Sequence, residues 1–170
     1  LLGDPIRNRD CGVPGEVAAN RDEAVAELFY EPTEDERARA TEWADVFAAF
    51  HAGSPLRFRQ ERAQRLVSNP LAEGDAAELS VLLGDAELTT WAMAKLMERD
   101  TAERWWRQLL AAYRWAVGPS VETALLVLGT AAWRLGKGAH VSECGLLLVA
   151  CDSPLAVLLT KLAATRPGFG

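Results

Sequence analysis

The sequence predicts an all-α fold, a bundle of about eight or nine helices arranged as helical hairpins, and three observations predict it. Alanine and leucine supply 29 and 24 of the 170 residues, whereas Ile6 is the only isoleucine, so composition favours helix over sheet. Apolar residues recur at helical spacing along most of the chain, and glycines, prolines and capping residues cut that pattern into segments. No alternating run of useful length occurs, and no Gly-Asx hairpin turn joins two β-branched stretches.

Residues 1–19, with Pro5, Pro14 and three glycines, show no period and read as a leader or linker; residues 20–170 read as one all-α domain. Asn20 with Glu23 resembles a capping box that opens a short helix to about Phe29, stopped by Glu31-Pro32. Thr33 with Glu36 is a capping box of the preferred type. Trp43, Val46, Phe47 and Phe50 then form one stripe up to Gly53, so this helix is expected to lie on a core. Ser54-Pro55 reads as an N-cap and first-turn proline, opening a helix that Asn69-Pro70 ends. Helices follow over Leu71–Leu83, Ala86–Arg99 and Thr101–Ala116, separated by Gly84-Asp85 and by Asp100-Thr101. Gly118-Pro119-Ser120 reads as stop, turn and N-cap. Val121–Leu135 is apolar on nearly every side and is expected to be the most buried helix. Two shorter helices, Ala139–Ala150 and Pro154–Ala164, close the chain.

Length and composition exclude several classes. A chain of 170 residues can bury a sizeable core without staples, and its charge of −6, from 24 acidic and 18 basic side chains, is wrong for a generally basic nucleic-acid binder. That charge is uneven. Residues 20–116 belong to an acidic helical part, the chain up to 116 carrying 21 acids and 14 bases, while 117–170 is an apolar part with 3 acids and 4 bases that reads as core or interface. Three cysteines, Cys11, Cys144 and Cys151, are too few for a disulfide framework and suggest a reducing, cytoplasmic setting. Cys144 and Cys151 would bridge only if their helix broke between them. No uncharged stretch reaches the ~20 residues that a membrane-spanning helix needs. Leu1, followed by a charged stretch with no apolar run, reads as the start of a chain that begins partway through a longer protein and not as a signal peptide.

None of the candidate sites amounts to catalytic, cofactor or metal machinery. His140 and Cys144 share a helical face, but two ligands do not make a metal site, and a buried thiol beside a half-exposed histidine is the reading preferred. His51 closes a helix whose carbonyls favour a cation; Ser54 nearby would allow a Ser-His pairing, but no strained nucleophile turn is present. Glu31, Glu34, Asp35 and Glu36 suit a helix N-terminus. Gly136-Lys137-Gly138 follows a helix and lacks phosphate-loop spacing, so it reads as a helix stop. Arg57, Arg59, Arg62 and Arg65, with Phe58 among them, form the one basic patch, a possible nucleic-acid surface diluted by Glu61 and by the acidity of the chain. Trp105 and Trp106 are about 100° apart on a helix, so both can face one groove or one can bury while the other reaches out to a protein partner.

From about Gly15 onward the chain resembles the C-terminal half of an actinobacterial family known only as a domain of unknown function, number four-one-nine-two. Asn20-Arg21-Asp22-Glu23-Ala24 is similar to that family's helix start. Residues 73–79 and Leu83-Gly84-Asp85 resemble its Asp-x-Ala-Ala-x-Leu and Leu-x-Asp turn, and Trp106 falls where the family has a Leu-Trp pair. Thr123-Ala124-Leu125-Leu126, Ala131-Ala132-Trp133 and Gly136-Lys137-Gly138-Ala139 are similar to its apolar helix, Ala-Trp and Gly-Asp-Gly-Ala turn, with Lys137 in place of the usual aspartate. The resemblance implies a bacterial cytoplasmic protein, lacks the family's preceding α/β half and transfers no catalytic residue. Trp133 to Pro154 also looks like a degraded tetratricopeptide-type hairpin, a binding scaffold.

The expectation is therefore a non-catalytic interaction or assembly module without cofactor, metal or membrane segment, whose partner is another protein or a second copy and for which no small-molecule substrate is indicated. The alternatives are a lid on an enzyme whose active site lies in a missing N-terminal half, and nucleic-acid association through the four arginines.

Overall fold

In a computed structural model, residues 26–165 are described. They form a 3-10 turn, Ala26–Leu28, and eight α-helices joined by connections of two to five residues. The helices are α1 (Glu34–His51), α2 (Leu56–Val67), α3 (Glu73–Leu83), α4 (Ala86–Leu96), α5 (Thr101–Trp115), α6 (Pro119–Arg134), α7 (Gly138–Ala150) and α8 (Leu155–Ala163). No strand occurs among the described residues, so the fold is an all-α helical bundle. The Asn20–Glu23 capping box and Cys11 lie outside the described residues.

Local chemistry explains most boundaries. Thr33 accepts from the Glu36 amide and Glu36 accepts from the Thr33 amide, the reciprocal capping box that starts α1. Asp85 accepts from the amides of Glu87 and Leu88 at the start of α4. Gly136, with φ of +72°, provides the left-handed turn that ends α6. Other starts depart from expectation. Ser54 makes no cap: Pro55, in extended backbone, is the residue before α2, and no side chain caps its first turn. Pro119 itself is the first residue of α6, so Ser120 lies inside the helix and Gly118 precedes it at φ +60°. Helix α4 ends at Leu96, three residues short of Arg99, and Asp100 precedes α5 in left-handed backbone without a side-chain cap.

Two helices organise the packing. Eleven residues of α6 are buried, as its all-round apolarity predicts, and α6 touches α3, α4, α5, α7 and α8. Helix α3 buries seven of its eleven residues and carries α1, α2 and α5. On the far side of α6, Gly129 lets α7 and α8 approach: a Cβ built there would stand 2.8 Å from Leu159 Cδ2 and 3.2 Å from Cys144 Cβ. Cys144 is sealed in this contact, and burial drives its thiol far above the usual range; Cys151, past the end of the unbroken α7, is pushed up to about 11. Both are free thiols. The Trp133 indole donates to the Thr165 carbonyl at 3.0 Å and pins the chain beyond α8 to the end of α6.

Helix α1 breaks the expected pattern. Only Ala40 and His51 are buried; Trp43 and Phe47 are half-buried, while Val46 and Phe50 are exposed, Phe50 at 61%. On a helical wheel Ala40 and His51 lie within about 20° of each other and about 110° from the Val46–Phe50 edge. The stripe is thus divided: Trp43, beside buried Ala40, packs on a small core cluster with Ala76, Ala77 and Trp115, as expected, while Val46 and Phe50 face solvent. Trp43 packs against Gly74, where an added Cβ would stand 3.2 Å from the indole, and Phe47 stacks on Trp43 at 5.6 Å.

Overpacking at the α6–α7–α8 contact should be costly because Leu159 is itself buried. Gly129→Val is expected to lower unfolding free energy by about 2–3 kcal/mol in urea denaturation, and Gly129→Ala by less, since its helix propensity offsets part of the clash.

Candidate functional site: the groove between α1 and α2

Helices α1 and α2 both rest on α3 and scarcely touch one another. The reason lies in α3. Glu78, on the surface that faces both helices, is 2% exposed, and a buried carboxylate requires partners. His51, the last residue of α1, sets Nε2 2.9 Å from Glu78 Oε2. Arg62, in the middle of α2, donates Nε to Oε2 at 2.9 Å and Nη2 to Oε1 at 2.7 Å, a two-pronged pairing. An ionised carboxylate only accepts, so His51 holds its hydrogen on Nε2. Burial by itself would raise the Glu78 carboxyl, but the hydrogen bonds from Arg62 and His51 and the Arg62 charge outweigh it, so the group sits below its ordinary value.

Above this cluster a groove of about 380 Å³ opens between the helices, lined by Val46, Phe47 and Phe50 from α1 and by Phe58, Glu61, Arg62 and Arg65 from α2, with Glu78 in its floor. Phe50 meets the His51 ring edge-on at 4.9 Å, and Phe58 of α2 stands 6.3 Å from it. The walls are aromatic and the floor is an internally neutralised ion pair. His51 Nδ1 has no hydrogen-bond partner and no open path to solvent, so the ring serves as a clamp on Glu78 and does not present a base to the groove; Ser54 is not paired with it.

The basic patch does not survive as a unit. Its four arginines span about 200° of α2. Arg57, almost fully exposed, pairs with Glu61 at 3.4 Å; Arg59 lies against α4 near Asp85 and Glu87, at 3.6 and 3.9 Å; Arg62 is spent on Glu78. Arg65, exposed at the rim of the groove, has no ion pair among the described residues. Arg59 and Arg62 are thus turned toward carboxylates on other elements, and the four arginines do not share one face.

The remaining candidates are distributed elsewhere. Trp105 is 2% exposed and packs on Trp91 at 5.6 Å, so it cannot anchor a partner. Trp106 is half-buried, with Lys137 over its ring at 5.2 Å and the His140 ring edge-on at 5.4 Å. His140 is buried, not half-exposed: its Nε2 lies 2.7 Å from Glu27 Oε1, which ties the 3-10 turn to α7 and leaves Cys144 to the core. Among the described residues no group of three His, Cys, Asp or Glu side chains could hold a metal ion, and no helix is long and apolar enough to cross a membrane. A second hollow, of about 560 Å³ between the 3-10 turn, α3 and α5, is crossed by a linked set in which Tyr30 donates to both Glu36 oxygens and Arg114 lies over the Tyr30 ring at 3.5 Å.

No protein-family model, curated protein or solved structure matches this chain.

Because the folded state holds Glu78 below its ordinary value, its contribution to stability is complete above about pH 4.3 and is lost as pH falls through the folded value. Glu78→Gln should flatten the fall in stability on the acid side of that point. Glu78→Ala should cost roughly 3 kcal/mol at neutral pH, read from urea denaturation, by stranding Arg62 and His51.

Proposed function

We propose that this chain is a non-catalytic protein-interaction module and that the α1–α2 groove is its contact surface. The observation that carries the reading is the row of exposed apolar side chains, Val46, Phe50 and Phe58, standing over a cleft whose floor is held rigid by Glu78, Arg62 and His51. Aromatic walls around a fixed cleft are the features that concentrate binding energy at protein interfaces. Exposed phenylalanines cost solubility unless something covers them.

The charge at the rim points to the occupant. Arg57 is paired with Glu61 and Arg62 with Glu78, which leaves Arg65 as the groove's available cation. The fitting partner is a segment of another protein that carries two or three apolar side chains and a carboxylate to meet Arg65. Arg65 alone is too little charge to favour nucleic acid.

Selection of displayed random peptides on the purified chain tests this reading. The expected result is enrichment of sequences that combine apolar residues with Asp or Glu. Their binding should be abolished by Phe50→Glu with Phe58→Glu and weakened about tenfold by Arg65→Glu, as one charge pair replaced by a repulsion would give. Failure to enrich, or binding indifferent to these substitutions, would refute it.

A further inference from the structure

On the reading of the α1–α2 groove as a protein contact, its walls restrict the backbone of whatever fills it. Both walls are the sides of helices: Val46, Phe47 and Phe50 lie within α1, and Phe58, Glu61, Arg62 and Arg65 lie within α2. The floor is α3, which contributes Glu78. Because α1 and α2 pack on α3 and scarcely on each other, three helices surround the cleft and the position opposite α3 is open.

An extended segment pairs its amides and carbonyls with a sheet edge, and none exists among the described residues. Helix sides present side chains, their backbone groups being bonded along the helix. The side chains of this groove offer little in exchange. Those of Val46, Phe47, Phe50 and Phe58 carry no hydrogen-bonding atom. Glu78 has both oxygens engaged by Arg62 and His51, and Arg62 gives two N–H groups to it. A strand laid over this surface would bury peptide groups without partners. A helix satisfies its own peptide groups and brings only side chains to the contact.

The lining residues also set a spacing for the occupant. Phe58, Glu61, Arg62 and Arg65 stand at i, i+3, i+4 and i+7, so the groove follows about two turns, ~10 Å, of α2. Phe58 lies at one end, 6.3 Å from the His51 ring, and Arg65 lies at the other. Glu61, between them, is paired with Arg57 at 3.4 Å. The middle of this wall is therefore neutral, and the Arg65 end is the one that attracts a carboxylate.

We propose that the occupant is an amphipathic helix of another protein, seated opposite α3 between α1 and α2. Apolar residues three or four apart on that helix meet Val46, Phe50 and Phe58, and a carboxylate about two turns away from the residue that meets Phe58 pairs with Arg65.

Two displayed peptide libraries of equal length and composition, panned against the purified chain, test the conformation of the occupant separately from the site. One places apolar residues at i, i+3, i+4 and i+7, the other alternates apolar and polar residues, and both carry Asp or Glu at varied positions. Only the helix-patterned library should be enriched, with the acid selected about seven positions from an apolar anchor. Phe50→Glu with Phe58→Glu should abolish binding of the selected peptides while the chain keeps its helical circular dichroism spectrum. A proline at the centre of a selected peptide should weaken its binding about a hundredfold, because it breaks the helix. Groove-dependent enrichment from the alternating library, or binding that a central proline leaves unchanged, would overturn the helical occupant while keeping the groove as a contact surface. Selected peptides whose acid has no fixed place would overturn the pairing with Arg65. Enrichment from neither library, or binding indifferent to the two glutamates, would refute the groove itself as the contact.

Discussion

A carboxylate taken out of water must be met by donors, and the way Glu78 is met decides how the first third of the bundle is built. Arg62 and His51 reach it from two helices that scarcely touch one another, so both are tied to α3 through the same carboxylate. The pairing sets the rotation of α1 as well. With His51 turned inward to the carboxylate, the Val46–Phe50 edge of the same helix is carried round to the outside. The exposed aromatics are therefore a result of satisfying a buried charge, and replacing that charge with an apolar residue would remove the geometric reason for the groove even if stability were kept.

The other half of the molecule obeys a different constraint. Helix α6 is buried on almost every side, and burial on that scale requires neighbours that come close. A glycine makes this possible: Gly129 leaves room for Leu159 and Cys144 to seat against the helix. The result is an apolar layer of α6, α7 and α8 that meets α3 directly as well as α4 and α5.

How much of this was legible in the sequence follows from the range of the interactions. Boundaries set by a residue's own neighbours, such as the Thr33–Glu36 box, the Asp85 cap and the Gly136 turn, could be read directly. So could the central place of α6, because apolarity on all sides of a helix leaves no other position for it. The orientation of α1 could not be read. Its apolar stripe is real, but which edge turns inward is decided by Glu78, a residue 27 positions beyond His51 with no periodic signature linking the two. The arginine patch misled for a similar reason. Its members are close in sequence, yet their partners are spread over α2, α3 and α4, and only the fold reveals that Arg65 alone is left over. Phe58 stood out among those arginines by its type, whereas nothing marked Phe50 as different from Phe47 on the same stripe.

Cys144 adds a kinetic aspect to the static description. Its sulfur is enclosed between α6 and α8 and is held strongly to the protonated form, which neither alkylates nor exchanges with disulfides at a useful rate. Modification of this thiol has to await separation of the helices that cover it. The rate of its capture by an excess of alkylating reagent is therefore a clock for the opening of the α6–α7–α8 layer, independent of whatever occurs at the groove on the other side of the bundle.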